Sequence, residues 1–382
     1  MPPFKFLSFI IFNILIYSCT SSTEPRSSCV FLSENFSYSE LSNETKEILE
    51  LWQPYLDSLI KNEKFNVDSS VWDTEIDPIG GIELYYHIKQ ADGPINAEIL
   101  NIQKLDSNKY SVKTAFYNLY ESGKSKNPSL NCIYDIVIRK KGKAFKVYNF
   151  LSEYTQDWSI KEVGNIVYHY TPSYPFNQVK AITMSKYCDS LAKFFATESP
   201  KINYYIFKNS QETFYSMGFL YNRDMYDTYQ IFGRADPNRN IVYCGNNSEI
   251  FPHEIVHLYT HKYYSTLHSF FDEGLAEYLD FSIQTEKINK RKVIANYLNN
   301  NPQINLSNIL ELEDRIGNGT SYKYDISCLL VEKLLEKDTK QGLHKILNGG
   351  TKNEDFYATV TSILGIEKRE INNAIRGWLT NY

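Results

Sequence analysis

The chain has 382 residues, 40 basic and 45 acidic side chains and a formal charge of −5. Its 42% hydrophobic content is that of a globular protein and excludes a disordered, collagenous or coiled-coil chain. The mild, evenly mixed acidity lacks the basic face of a nucleic-acid binder, so no nucleic-acid partner is expected.

In chain order, the first feature is an export signal. Lys5 is the one charged side chain before an apolar run from Phe6 to Ile16, which is too short to span a bilayer. Ile16-Tyr17-Ser18-Cys19 comes next and resembles a bacterial lipobox, in which the cysteine is lipidated and opens the mature chain. Residues 1–18 are therefore read as a signal peptide. Cys19 is the lipidation site, and the Ser-rich stretch 19–42 is a tether. The implied location is the bacterial cell envelope, on a membrane through the N-terminal lipid, or secreted if no lipid is added. The other five cysteines are widely spaced, form no CxxC pair and read as small core residues.

Residues 43–163 form an expected α+β accessory unit. Ile48, Leu51, Trp52, Tyr55, Leu56 and Leu59 recur at helical spacing after a Ser42 or Asn43 cap, and Pro54 should kink or split that helix. Strand-like stretches are expected at 83–88, 97–105, 110–120, 132–139 and 144–153. A helix followed by an antiparallel meander resembles the NTF2-like fold in its order of elements.

Residues 164–382 form the second unit, with a small sheet (strands at 165–170, 202–207 and 241–244), a helix at 176–197 and a mostly helical remainder after Ser248. Here four of the chain's seven histidines cluster, between His253 and His268. His253-Glu254-Ile255-Val256-His257 is an HExxH motif. On a helix, residues four apart share a face, so both imidazoles can reach one metal ion, while Glu254 can take a proton from its water. Composition alone would produce this pattern in about one such chain in a hundred. A catalytic metal needs a third protein ligand and an open position. Thr260 and Tyr263 stand where a metzincin would have Gly and His, which excludes that class.

Phe271-Asp272-Glu273-Gly274-Leu275-Ala276-Glu277-Tyr278 completes a pattern similar to the gluzincin metallopeptidases. That resemblance implies a zincin-type catalytic domain with one zinc per chain. It makes His253, His257 and Glu273 the ligands, with Glu277 orienting His253 and standing as the alternative ligand. Glu254 becomes the general base. The segment 321–335 resembles the family's Tyr-bearing helix, which makes Tyr324, or else Tyr322, the oxyanion donor. Gly233-Arg234-Ala235-Asp236 reads as a loop, and the family's edge strand for substrate maps onto Ile241, Val242, Tyr243 and Cys244 after it. The GxMxN motif of the aminopeptidases is absent, which favours an endopeptidase or narrow processing activity.

The expected function is thus an exported, lipid-anchored zinc metallopeptidase, monomeric, acting on a peptide or protein. The alternative is a non-catalytic, zinc-containing surface lipoprotein that serves as a binding module.

Overall fold

The computed structural model describes residues 29–382, apart from 35, 78, 90–93, 123–124, 227–231, 313–314 and 318–319. The signal segment and Cys19 lie outside the described residues. Among those described, no helix is long and apolar enough to cross a membrane, and Cys132, Cys188, Cys244 and Cys328 are free thiols.

The fold is mixed α and β, built on two sheets. The first contains β1 (Val30–Leu32), β2 (Ile95–Lys104), β3 (Lys109–Ser122), β4 (Ser125–Lys141) and β5 (Ala144–Tyr148) in that order. β2 to β5 form an antiparallel meander, as expected, and β1 lies parallel to β2 with Val30 buried. The tether expected over 19–42 therefore gives way to structure by Val30.

Helix α1 (Asn43–Lys61) lays Ile48, Leu49, Trp52, Tyr55, Leu56 and Leu59 on the core, and the Ser42 hydroxyl accepts from the Thr45 N–H at 3.1 Å. It runs unbroken through Pro54. That residue faces solvent, and so does Glu50, whose carbonyl loses its helical partner and can turn to water. The stretch expected as a strand at 83–88 is instead helix α2 (Ile82–Lys89). Leu84, Tyr85 and Ile88 are its buried set, a 3.6-residue pattern that β-prone aromatics disguise. Gly80 and Gly81 precede it because a Cβ at either would strike the Trp72 ring or the Tyr55 hydroxyl, and Gly81 has φ of 85°. Beyond β5, the strand expected to reach 153 turns into a short helix, α3 (Leu151–Tyr154).

The second sheet runs β10 (Gly233–Asp236), β11 (Ile241–Cys244), β8 (Ile202–Ile206), β7 (Ile166–Tyr170) and β6 (Ser159–Val163). β7, β8 and β11 are parallel, and the outer strands β6 and β10 are antiparallel to their neighbours. Helix α4 (Gln178–Phe195) is the crossover from β7 to β8. Helix α5 (Ser210–Ser216) then leads to β9 (Phe219–Asn222), which pairs with β4 of the first sheet. The sheets therefore do not divide at 163/164, since β6 belongs to the second and β9 to the first.

β11 shows how the layers stack. Val242 and Cys244 join the core under the helices, whereas Ile241 and Tyr243 join the core of the first unit. The second sheet is thus covered on both faces. The helical remainder comprises α6 (Pro252–Tyr263), α7 (Ser269–Leu279), α8 (Gln284–Asn300), α9 (Ser327–Lys337), α10 (Thr339–Asn348), α11 (Asn353–Leu364) and α12 (Ile371–Leu379).

The shared core is testable at Phe219, which is fully buried with its ring 4.9 Å from Tyr134 and 4.5 Å from His87. Phe219→Ala should cost about 3–5 kcal/mol in urea unfolding. Far- and near-UV signals from both units should shift together. A shift confined to one probe would contradict a common core.

Candidate metal centre

The motif helix α6 begins at Pro252, whose missing N–H falls where no intrahelical donor is needed. Ile255, Val256, Leu258 and Tyr259 bury it almost all round. Glu249 lies just before this helix, fully buried, and accepts from the Asn177 N–H. Helix α7 starts at His268, whose ring accepts from the Phe270 N–H, so this histidine is a cap and stands outside the cluster. Gly274 then faces α9. A Cβ there would meet the Ser327 carbonyl oxygen at 2.7 Å, so glycine permits the close approach of the two helices.

These helices bring three donor atoms together. His253 Nε2 lies 3.1 Å from His257 Nε2, and Glu273 Oε2 lies 3.2 Å and 3.4 Å from the same two nitrogens. A tetrahedral ion with bonds of about 2.0–2.2 Å would separate its ligands by roughly 3.3–3.6 Å. A hydrogen bond joins two atoms, and this is a nearly equilateral triangle of three atoms, each able to offer a lone pair to a metal ion. The donor set fits a metal ion.

The flanking groups orient it. His257 Nδ1 lies 3.0 Å from Asp272 Oδ2, within ion-pair reach, and that carboxylate accepts from the Thr260 hydroxyl at 2.6 Å and meets His261 Nε2 at 2.6 Å. Asp272 was not singled out in the sequence, although it is the residue directly before the expected ligand. Glu277 Oε1 is 3.8 Å from His253 Nδ1, within ion-pair reach and outside the triangle. Glu273 turns its other oxygen to Lys323 Nζ at 3.1 Å.

Burial pushes the Asp272 and Glu273 carboxyls up, but the imidazoles and the hydrogen bonds they make more than offset it, and both lie well below the usual carboxylate range. Burial likewise raises Glu254, partly offset by His253 and His257.

Lys323 and Tyr324 sit on a π-helical turn, Tyr322–Ile326, whose Ser321 hydroxyl accepts from both of their N–H groups at 3.1 Å and 3.4 Å. The Tyr324 ring centre is 5.9 Å from that of His253. Tyr322 is 5% exposed and packs in the helical core. Of the two tyrosines, Tyr324 is the one at the cluster.

One expectation fails. Ile241, Val242 and Tyr243 belong to an inner strand, paired on both sides and buried on both faces, so they offer no edge to a ligand. The terminal strand is β10, over residues expected to be a loop. Gly233 on β10 lies directly against the motif helix, where a Cβ would meet the Phe251 ring at 2.2 Å and Glu254 Oε1 at 2.8 Å. No family model matches the chain, and no curated protein matches it significantly.

Gly274→Val should destabilise the protein by about 1–3 kcal/mol or more, because the side chain must displace the α9 backbone. Thermal unfolding checks this, and a wild-type midpoint would contradict the close approach.

Proposed function

We propose that the chain is a zinc metallopeptidase of zincin architecture, exported and lipid-anchored through Cys19, acting as a monomer on extended peptide segments. The single observation that carries the reading is the triangle of His253, His257 and Glu273 atoms with Glu254 and the edge strand β10 beside it. The likeness to gluzincins at residues 253–277 supplies the family, and the helix α1 on its meander supports an NTF2-like first unit.

His253, His257 and Glu273 would hold the ion, with Asp272 fixing the tautomer and direction of His257. Zinc in such a site polarises a carbonyl and lowers the pKa of a water toward ~7. A peptide adds to the outer edge of β10 by main-chain hydrogen bonds. Gly233, having no side chain, lets that strand pack directly against the Phe251 ring and the Glu254 carboxylate. Glu254 accepts a proton from the attacking water at a carboxylate oxygen and returns it to the leaving nitrogen. The Tyr324 hydroxyl donates to the carbonyl oxygen as it gains negative charge.

Glu254→Gln keeps the shape and removes the base. Turnover of a mixed peptide library should fall by about 10²–10⁴-fold while bound zinc, read by elemental analysis, stays at one per chain. Full turnover in this variant would remove Glu254 from the role. A wild-type protein that holds zinc yet cleaves nothing in the library would favour the binding-module alternative. Tyr324→Phe should lower kcat by about 10²–10³-fold with KM nearly unchanged. An equal loss in Tyr322→Phe, with Tyr324→Phe silent, would reverse the assignment.

A further inference from the structure

The face of β10 opposite Gly233 carries Arg234 and Asp236, and the turn into β11 carries Arg239. All three meet carboxylates or partners beneath the strand. Arg234 Nη2 lies 2.7 Å from Glu83 Oε2 in an ion pair. Arg239 reaches Glu83 Oε1 at 3.3 Å and Asp77 Oδ1 at 3.5 Å, and it also pairs with Asp236 and donates to the Tyr243 hydroxyl. Glu83, on α2, and Asp77 belong to the first unit, and each is 2% exposed. Two guanidiniums and three carboxylates thus share a site that is buried except at Arg234, which reaches toward solvent.

Adhesion does not need these charges, since Ile241 and Tyr243 already join the two units through apolar packing. Burying ions is costly compared with more such packing. What paired ions add is direction, because a guanidinium fork accepts its carboxylate in few geometries. The direction matters here because Gly233 lies within the reach of one Cβ of the Glu254 carboxylate. A small shift of β10 would change how closely it lies against Glu254.

We propose that Glu83 and Asp77 of the first unit clamp the β10–β11 hairpin in register beside Glu254, and so act as positioning residues for an extended peptide bound along β10. The peptide part rests on the peptidase reading, whereas the clamp itself rests on the ion pairs alone. The first unit is then a working part of the cleft.

The test uses the full-length protein and the Glu83→Gln variant, which keeps the shape and an acceptor but removes the charge. Two quantities are read: amide hydrogen exchange across β10 and α6, and KM and kcat on peptides of two and of eight or more residues. Exchange at Gly233–Asp236 should accelerate by about 5-fold or more with α6 unchanged. KM for the long peptides should rise about 5–10-fold with kcat within about two-fold, and the short peptides should be affected less. Should Glu83→Gln fail to fold, Arg234→Lys decides, because it retains the charge, loses the fork and sits where the side chain is 24% exposed. Unchanged exchange at β10 overturns the clamp, and so does exchange rising equally through α6 and β10, which is mere destabilisation. If the wild type cleaves no peptide, the peptidase reading falls and the exchange result alone judges the clamp.

Discussion

One carboxylate oxygen, Glu273 Oε2, is where the two helices of the centre meet. It lies within 3.4 Å of two imidazole nitrogens that are themselves 3.1 Å apart. With both imidazoles neutral and offering these nitrogens as lone pairs, the three atoms would repel one another unless positive charge lay between them, and a single proton can join only two of them. The neighbourhood holds that arrangement in place. Asp272 fixes His257 from behind, Lys323 takes the second oxygen of Glu273, and Gly274 lets α7 sit close enough to α9 for its carboxylate to arrive at the right depth. Loss of the close approach at Gly274 would move the one ligand that does not come from the motif helix.

The candidate site is legible in the sequence in proportion to how local its signals are. His253 and His257 share a helical face by spacing alone, and Glu254 belongs to the same turn. Glu273 lies on another helix, and only the likeness at Asp272-Glu273-Gly274 points to it. Asp272 itself carries no linear signal, because nothing in the pattern says that α7 aims its first turn at His257. The choice between Tyr324 and Tyr322 is likewise closed to periodicity. A π-helical turn adds a residue to the cycle and rotates the side chains beyond it, so a regular 3.6-residue count cannot say which tyrosine faces the cluster.

The departures of the fold from expectation are of one kind. Glu83–Ile88 reads as extended because Tyr85, Tyr86 and Ile88 favour strands, yet contact with β4 and the glycines before it settle a helix. Gly233–Asp236 reads as a loop because Gly-Arg-Ala-Asp has no β-branched residue, yet pairing with β11 makes it the terminal strand. Ile241–Cys244 is a strand as expected but not an edge, and its apolar run is the clue. A strand with four buried residues in succession is covered on both faces, which an edge strand seldom is.

That double burial changes how the first unit relates to the chemistry. β10 separates two sets of charge: Glu254 on one face, and Arg234 with Glu83 on the other. Burial alone would drive Glu254 toward its protonated form, in which it cannot accept a proton. His253 and His257 oppose that drift, Glu273 adds to it, and Arg234, across the strand, opposes it least, so the carboxyl stays raised. Arg234 can do so only while its guanidinium stays beneath β10, and the group that keeps it there is Glu83 from the first unit. The contact that orients the strand therefore also fixes a positive charge near the base, so strand geometry and base electrostatics depend on the same buried ion pair.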